Sequence, residues 1–151
     1  MKGLKVLTVM VVLVVGFVFA GSATAQLQEV KDNVTGSTCA YKDPNTNLMW
    51  AYKPYINSVT DFLTAFNNLN NYASCSLGGW GIPTVAQVHS LYKALKPIQG
   101  LKPLAGNIWT SAAIASGGST LQYVVSLYDN SEIKVDRTNT TCCMIMLVRK
   151  Y

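Results

Sequence analysis

Apolar positions along this chain recur at helical spacing in two places and alternate or run together in several shorter stretches, with clusters of turn-forming residues between them. The clearest helix follows Gly79-Trp80-Gly81-Ile82-Pro83-Thr84. Pro83 fixes its own φ and disfavours helix at Ile82, so the chain arrives extended. Thr84 then serves as N-cap, with Gln87 reaching back to it in a Thr-x-x-Gln capping box. Val85, Val88, Leu91, Tyr92 and Leu95 form one apolar face. Lys93 and Lys96 sit in the last turn, where the helix dipole favours cations, and Pro97 ends the helix. An earlier helix is predicted with Ser58 as cap and Asp61 at the third helical position. Val59, Phe62, Leu63, Phe66 and Leu69 give its buried face, which runs to about Tyr72. Asn67, Asn68, Asn70 and Asn71 lie on the outer face. They are either hydrogen-bonding groups for a sugar or poor helix formers at a fraying end.

The strand signals are shorter. Residues 26–36 are polar and read as a lead-in. Residues 38–42 and 48–52 flank Asp43-Pro44-Asn45-Thr46-Asn47, which makes a hairpin with a longer loop, ended by Pro54. After an irregular stretch at 98–106, strands are predicted around Trp109 (107–112), at 121–128 and at 132–136. Gly117-Gly118 and Asp129-Asn130-Ser131 are the turns between them. Residues 142–148 are almost continuously apolar, which predicts a central strand buried on both faces.

The chain has 151 residues. Its first 25 carry the marks of an export signal: Lys2 and Lys5, an apolar run from Val6 to Ala20, and Ala23-Thr24-Ala25 before Gln26. The apolar run is short for a membrane span, so the expectation is a cleaved signal peptide (1–25) and one domain (26–151). That domain would be secreted, periplasmic or held at a cell surface, with no membrane span of its own. Loss of Lys2 and Lys5 lowers the formal charge from +5 to +3. No Lys/Arg cluster marks a nucleic-acid footprint, and nucleic acid is not expected as a partner. Lys93, Lys96 and Lys102 fall close together, as a solvated helix end or as an anion-binding patch.

Four cysteines, Cys39, Cys75, Cys142 and Cys143, follow the signal, and an exported compartment permits disulfides in any of three connectivities. Neighbours in an extended strand point to opposite faces. Cys142 and Cys143 are therefore expected to pair elsewhere, with Cys39 and Cys75 as partners. There is no Cys-x-x-Cys and a single histidine, so neither a metal nor a cofactor is expected.

Catalysis finds little support. His89 is read as a lone surface residue on the flank of the second helix, no Gly-x-Ser-x-Gly elbow is present, and Asp129 and Glu132 are explained by their turn. Asn45-Thr46-Asn47 and Asp129-Asn130 carry oxygens suited to calcium, but both are also turn sequences. A non-catalytic protein is the expectation. Tyrosines 41, 52, 55 and 72 suit sugar stacking or a protein interface. The candidate ligand-binding residues are Lys93, Lys96, Lys102, Tyr55 and Tyr72.

The chain resembles the Lcl C-terminal domain family of small exported bacterial domains. Asn45-Thr46-Asn47-Leu48-Met49-Trp50 is similar to the family's Asp-x-x-Thr-Gly-Leu-Met/Thr-Trp opening. Gly79-Trp80-Gly81-Ile82-Pro83-Thr84-Val85-Ala86-Gln87-Val88 resembles its Asp-Trp-Arg-Leu-Pro-Thr-x-x-Glu-Leu signature. Ile108-Trp109-Thr110-Ser111 and Leu147-Val148-Arg149 are similar to its Tyr/Phe-Trp-Ser-Ser and closing Cys-Val-Arg. Gly81, Gln87 and Leu147 depart from that pattern, and the first two remove a possible Arg–Glu pair. The resemblance implies an α+β fold, a C-type-lectin-like mixed or antiparallel sheet with two flanking helices. It also implies that the first and last strands pair, bringing Cys39 toward Cys142 or Cys143, and that Trp50, Trp80, Pro83, Thr84, Trp109 and Arg149 define the structure. The expected function is an adhesion-type module for glycan or an acidic surface polymer. The alternative is a structural subunit that self-associates as a homo-oligomer.

Overall fold

The computed structural model describes residues 26–52, 61–69, 72–95 and 106–151. The export signal, Ser58, Val59, Tyr55, Lys96, Pro97 and Lys102 lie outside them. The described chain is α+β and mostly antiparallel sheet. Four strands, β1 (Gln28–Lys31), β2 (Thr38–Asp43), β3 (Leu48–Ala51) and β7 (Val148–Lys150), form one sheet in the order β1-β2-β3-β7. Three more, β4 (Asn107–Ser116), β5 (Ser119–Ser126) and β6 (Glu132–Asp136), form a second in chain order. The helices are α1 (Phe62–Asn67) and α2 (Val85–Leu95). None of the described helices is long and apolar enough to cross a membrane.

The β2–β3 hairpin forms where its turn residues lie, and the buried Asp43 closes it. One carboxylate oxygen of Asp43 accepts from the Asn45 amide at 3.0 Å and the other from the Thr46 hydroxyl at 2.8 Å. Asn47 takes the left-handed conformation at φ 56°, which Asn tolerates better than most residues. These turn residues are thus engaged in closing the loop. Met49 and Ala51 face one apolar cluster with Ala40, Phe62, Trp80, Trp109, Cys143, Ile145 and Leu147. Leu48 and Trp50 face the other, with Val88, Leu91, Ile108, Met146 and Val148. The period of two along β3 therefore places a core on each face of the sheet, and every residue of β3 is buried.

Trp50 and Trp109 are fully buried and Trp80 nearly so. Helix α2 follows the sequence closely. The Thr84 amide donates to Gln87 Oε1 at 2.8 Å and the Gln87 amide to Thr84 Oγ1 at 3.2 Å, a complete capping box. Gln87 thus caps the helix without a charge. In α1 the cap differs from expectation. Asp61 Oδ1 accepts the Thr64 amide at 2.8 Å, so Asp61 is the N-cap of the described helix and does not occupy its third position.

Three further expectations are corrected. Residues 28–31 are strand β1, although their polarity reads as a lead-in; an exposed edge strand shows no buried alternation. Residues 142–147 are buried for the most part but form no continuous strand. They cross between the sheets: Met144 exchanges main-chain hydrogen bonds with β4, and Val148 bonds to Gly81 and pairs with Trp50. Their unbroken apolarity reflects this seam between two cores. Finally, the last strand pairs with β3, and β1 pairs with β2, so first and last strands are not neighbours.

Candidate functional site

Immediately after β3 the chain leaves the sheet at Tyr52, whose amide donates to the Cys39 carbonyl at 3.0 Å. On the far side of Cys39 comes a tight reversal, Ser74 to Leu77, in which the two ends exchange main-chain hydrogen bonds of 2.9 and 3.2 Å. Cys75 and Ser76 occupy its centre with φ of 55° and 57°, as a two-residue turn with both central residues left-handed requires. Neither is glycine, so this backbone costs energy and is held by contacts elsewhere. Two contacts do so. Cys75 is disulfide-bonded to Cys39, with Cα atoms 5.3 Å apart, and Ser74 Oγ donates to the Cys39 carbonyl at 2.7 Å.

Between these pieces lies a cleft of about 250 Å³ lined by Thr38, Cys39, Tyr52, Tyr72 and Ser74. All five residues are half-buried. Tyr52 is braced by Tyr41, ring centroids 5.7 Å apart, and Tyr72 stands edge-on to Trp80 at 6.0 Å. Trp80 is in turn fixed by its indole N–H on the Leu77 carbonyl at 2.7 Å. The Arg149 guanidinium lies 5.9 Å from the Trp80 ring centroid and donates to the Gly78 carbonyl. On the β1 side, the Thr38 hydroxyl meets the Glu29 carboxylate at 3.3 Å. The cleft thus offers two positioned phenol rings and two hydroxyls, with the Glu29 carboxylate behind the Thr38 hydroxyl, on walls tied by a disulfide. Rings that stack, and hydroxyls whose protons are given to Glu29 and to the Cys39 carbonyl and whose oxygens accept, suit an uncharged polyol.

The cysteine pairing differs from expectation. Cys39 joins Cys75, and Cys142 is bonded to its neighbour Cys143. Neighbouring side chains point apart in an extended strand, and Cys142 instead sits at a bend. Cys143 is buried in the cluster shared by Trp80 and Trp109, while the 74–77 turn carries Cys75 to β2.

Of the candidate ligand residues, Tyr72 lines the cleft; Tyr55, Lys96 and Lys102 lie outside the described residues. Lys93 is exposed on α2, which packs on the cluster of Leu48 and Trp50, whereas Tyr72 packs against the cluster on the opposite sheet face. The structure therefore does not bring Lys93 and Tyr72 to one site. Pro83 is buried ahead of α2, its carbonyl accepting the Ser111 amide at 2.8 Å. Tyr52, Thr38 and Ser74 as a group escape sequence reasoning, since only the fold brings positions 38, 52 and 74 together.

His89 is not a free surface residue. Nδ1 lies 2.7 Å from Asn130 Oδ1 and Nε2 lies 2.6 Å from Glu132 Oε1, bridging α2 to the β5–β6 turn. Both partners are acceptors, which favours the doubly protonated ring. The hydrogen bonds to Asn130 and then to Glu132 raise its pKa above the ordinary value, against partial burial and the nearby Lys93. Asp129 Oδ1 accepts from the Ser131 amide at 3.0 Å and from the Ser131 hydroxyl at 2.7 Å. Among the described residues no three His, Cys, Asp or Glu side chains come together to hold a metal.

Comparison with protein-family models and with curated proteins gives no match for this chain.

Proposed function

We propose that this protein is a non-catalytic, exported binding module that recognises glycan at the Tyr52–Tyr72 cleft. The observation that carries this reading is the pairing of two braced tyrosine rings with the hydroxyls of Thr38 and Ser74 across a cleft of about 250 Å³. The export signal read in residues 1–25 and the Cys39–Cys75 disulfide both accord with work outside the cytoplasm. The likeness to Lcl C-terminal domains, a C-type-lectin-like family, supports the same class of ligand. An acidic polymer rests on a weaker footing. Glu29, bonded to the cleft residue Thr38, repels polyanions, and Lys93 lies on the other face of the sheet.

The test is binding of the purified protein to a panel of neutral and sulfated glycans. Binding to neutral members supports the reading. Binding confined to sulfated members and lost with salt would move the site to the lysines.

A further inference from the structure

A disulfide that staples a fold joins residues far apart in sequence, because restricting the loop between them is what stabilises the folded chain. Cys39–Cys75, with a sequence separation of 36, is of that kind. Cys142–Cys143 is not. Its partners are adjacent, so it closes no loop of intervening residues and restricts the unfolded chain very little. The segment around it is also held by other bonds. On one side the Met144 amide donates to the Asn107 carbonyl at 2.8 Å, and the Met144 carbonyl accepts the Trp109 amide at 3.0 Å. On the other, Asn139 Oδ1 accepts the Thr141 amide at 2.8 Å and the Thr141 hydroxyl at 3.1 Å. The Ser74–Leu77 turn, by contrast, keeps two non-glycine residues left-handed and relies on its disulfide to do so.

Adjacency also makes the Cys142–Cys143 bond easier to open. One peptide unit fixes neighbouring Cα atoms about 3.8 Å apart, whereas ordinary disulfides span roughly 4.4–6.8 Å, and departures from that range favour reduction. The two sulfurs differ in access. Cys142 is half-buried beside the exposed Thr140 and Thr141, while Cys143 is 1% exposed within the cluster of Trp80, Trp109, Ile145 and Leu147. A protonated thiol packs in such a cluster as a small apolar group, so opening the bond leaves no buried charge.

We infer that Cys142–Cys143 is a redox site that exchanges two electrons with an external dithiol while Cys39–Cys75 stays closed. A thiolate of the dithiol attacks the accessible Cys142 Sγ, forming a mixed disulfide. The Cys142–Cys143 bond breaks, and its electron pair leaves with Cys143 Sγ, which takes up a proton. The second thiol of the reductant then attacks the reductant sulfur of the mixed disulfide and releases Cys142 as a thiol. The cystine has gained two electrons and two protons, and the dithiol has become a disulfide. The inference is independent of the cleft.

The experiment equilibrates the folded protein in buffers of defined ratio of reduced to oxidised dithiothreitol. Samples are quenched with acid, unfolded and alkylated, and each cysteine is read by peptide mass spectrometry. Cys142 and Cys143 are expected to open at a ratio at least about tenfold below that needed for Cys39 and Cys75, a gap of roughly 30 mV, with the near-ultraviolet circular dichroism of the fold retained. A monothiol, glutathione, is expected to leave its adduct on Cys142. Opening of Cys39–Cys75 at the same or a lower ratio overturns the inference. So does a Cys142–Cys143 bond that yields only when the protein unfolds, and an adduct confined to Cys143 overturns the assigned point of attack.

Discussion

Ser74 Oγ donates to the Cys39 carbonyl at 2.7 Å beside the bond joining Cys39 to Cys75, so one wall of the cleft is tied to the other by a hydrogen bond and a disulfide together. The disulfide closes a loop of sequence separation 36, for which the chain-entropy model gives roughly 3–4 kcal/mol. Replacing Cys39 and Cys75 by Ser lowers unfolding free energy by that amount in a denaturant titration and weakens ligand binding by freeing the Ser74–Leu77 turn.

Ser76 holds a left-handed φ of 57° where hairpin turns of this type favour glycine. Ser76→Gly relieves that strain and stabilises the protein by about 0.5–1 kcal/mol, offset in part by added freedom in the unfolded chain. The rise in thermal midpoint is the readout. An unchanged or lower midpoint contradicts the account of the turn.

The Thr84–Gln87 box satisfies two amides at the start of α2, the helix that supplies Val88 and Leu91 to the core. Thr84→Ala costs about 1 kcal/mol by chemical denaturation, and Thr84→Ser recovers most of it.

The His89–Glu132 bridge sets a pH dependence. The pKa of His89 in the folded protein is raised, chiefly by Asn130 and Glu132, with Lys93 opposing. Its contribution to stability is therefore complete below the ordinary histidine value of about 6.5 and is lost as pH rises through the raised folded value. At the acid end, Asp61, Asp129 and Asp136 act in the opposite sense. Their pKa values are lowered, first by bonds from the Thr64 amide, the Ser131 hydroxyl and the Thr138 hydroxyl respectively. Their contributions are lost as pH falls through those lowered values. Thermal midpoints measured from acid to mildly alkaline pH show the upper decline, and His89→Gln flattens it.

How far these features are legible in sequence depends on whether the signal is local. The α2 capping box, the Asp43–Asn47 turn and the Gly117-Gly118 hairpin depend on residues a few positions apart, and each forms where local chemistry places it. Residues 142–147 illustrate the limit. Unbroken apolarity signals burial on both sides, yet a seam between two cores and a central strand produce the same pattern. Strand β1 has no apolar periodicity to read. The Cys39–Cys75 bond and the cleft beside it bring positions 38, 52, 72 and 74 together across loops, and His89 finds Glu132 only through the packing of α2 on the second sheet. Nothing within a local window encodes such pairings.

The most direct test of glycan binding at the cleft is calorimetric titration of neutral and sulfated oligosaccharides into the protein, Tyr52→Ala, Ser74→Ala and Lys93→Ala. Each variant is first checked for an unchanged near-ultraviolet circular dichroism spectrum. The account predicts binding of a neutral oligosaccharide that falls at least about tenfold in Tyr52→Ala, a loss of roughly 1.4 kcal/mol, and is unaffected by Lys93→Ala or by salt. No binding to any member, or binding that survives Tyr52→Ala and disappears with Lys93→Ala, would contradict it.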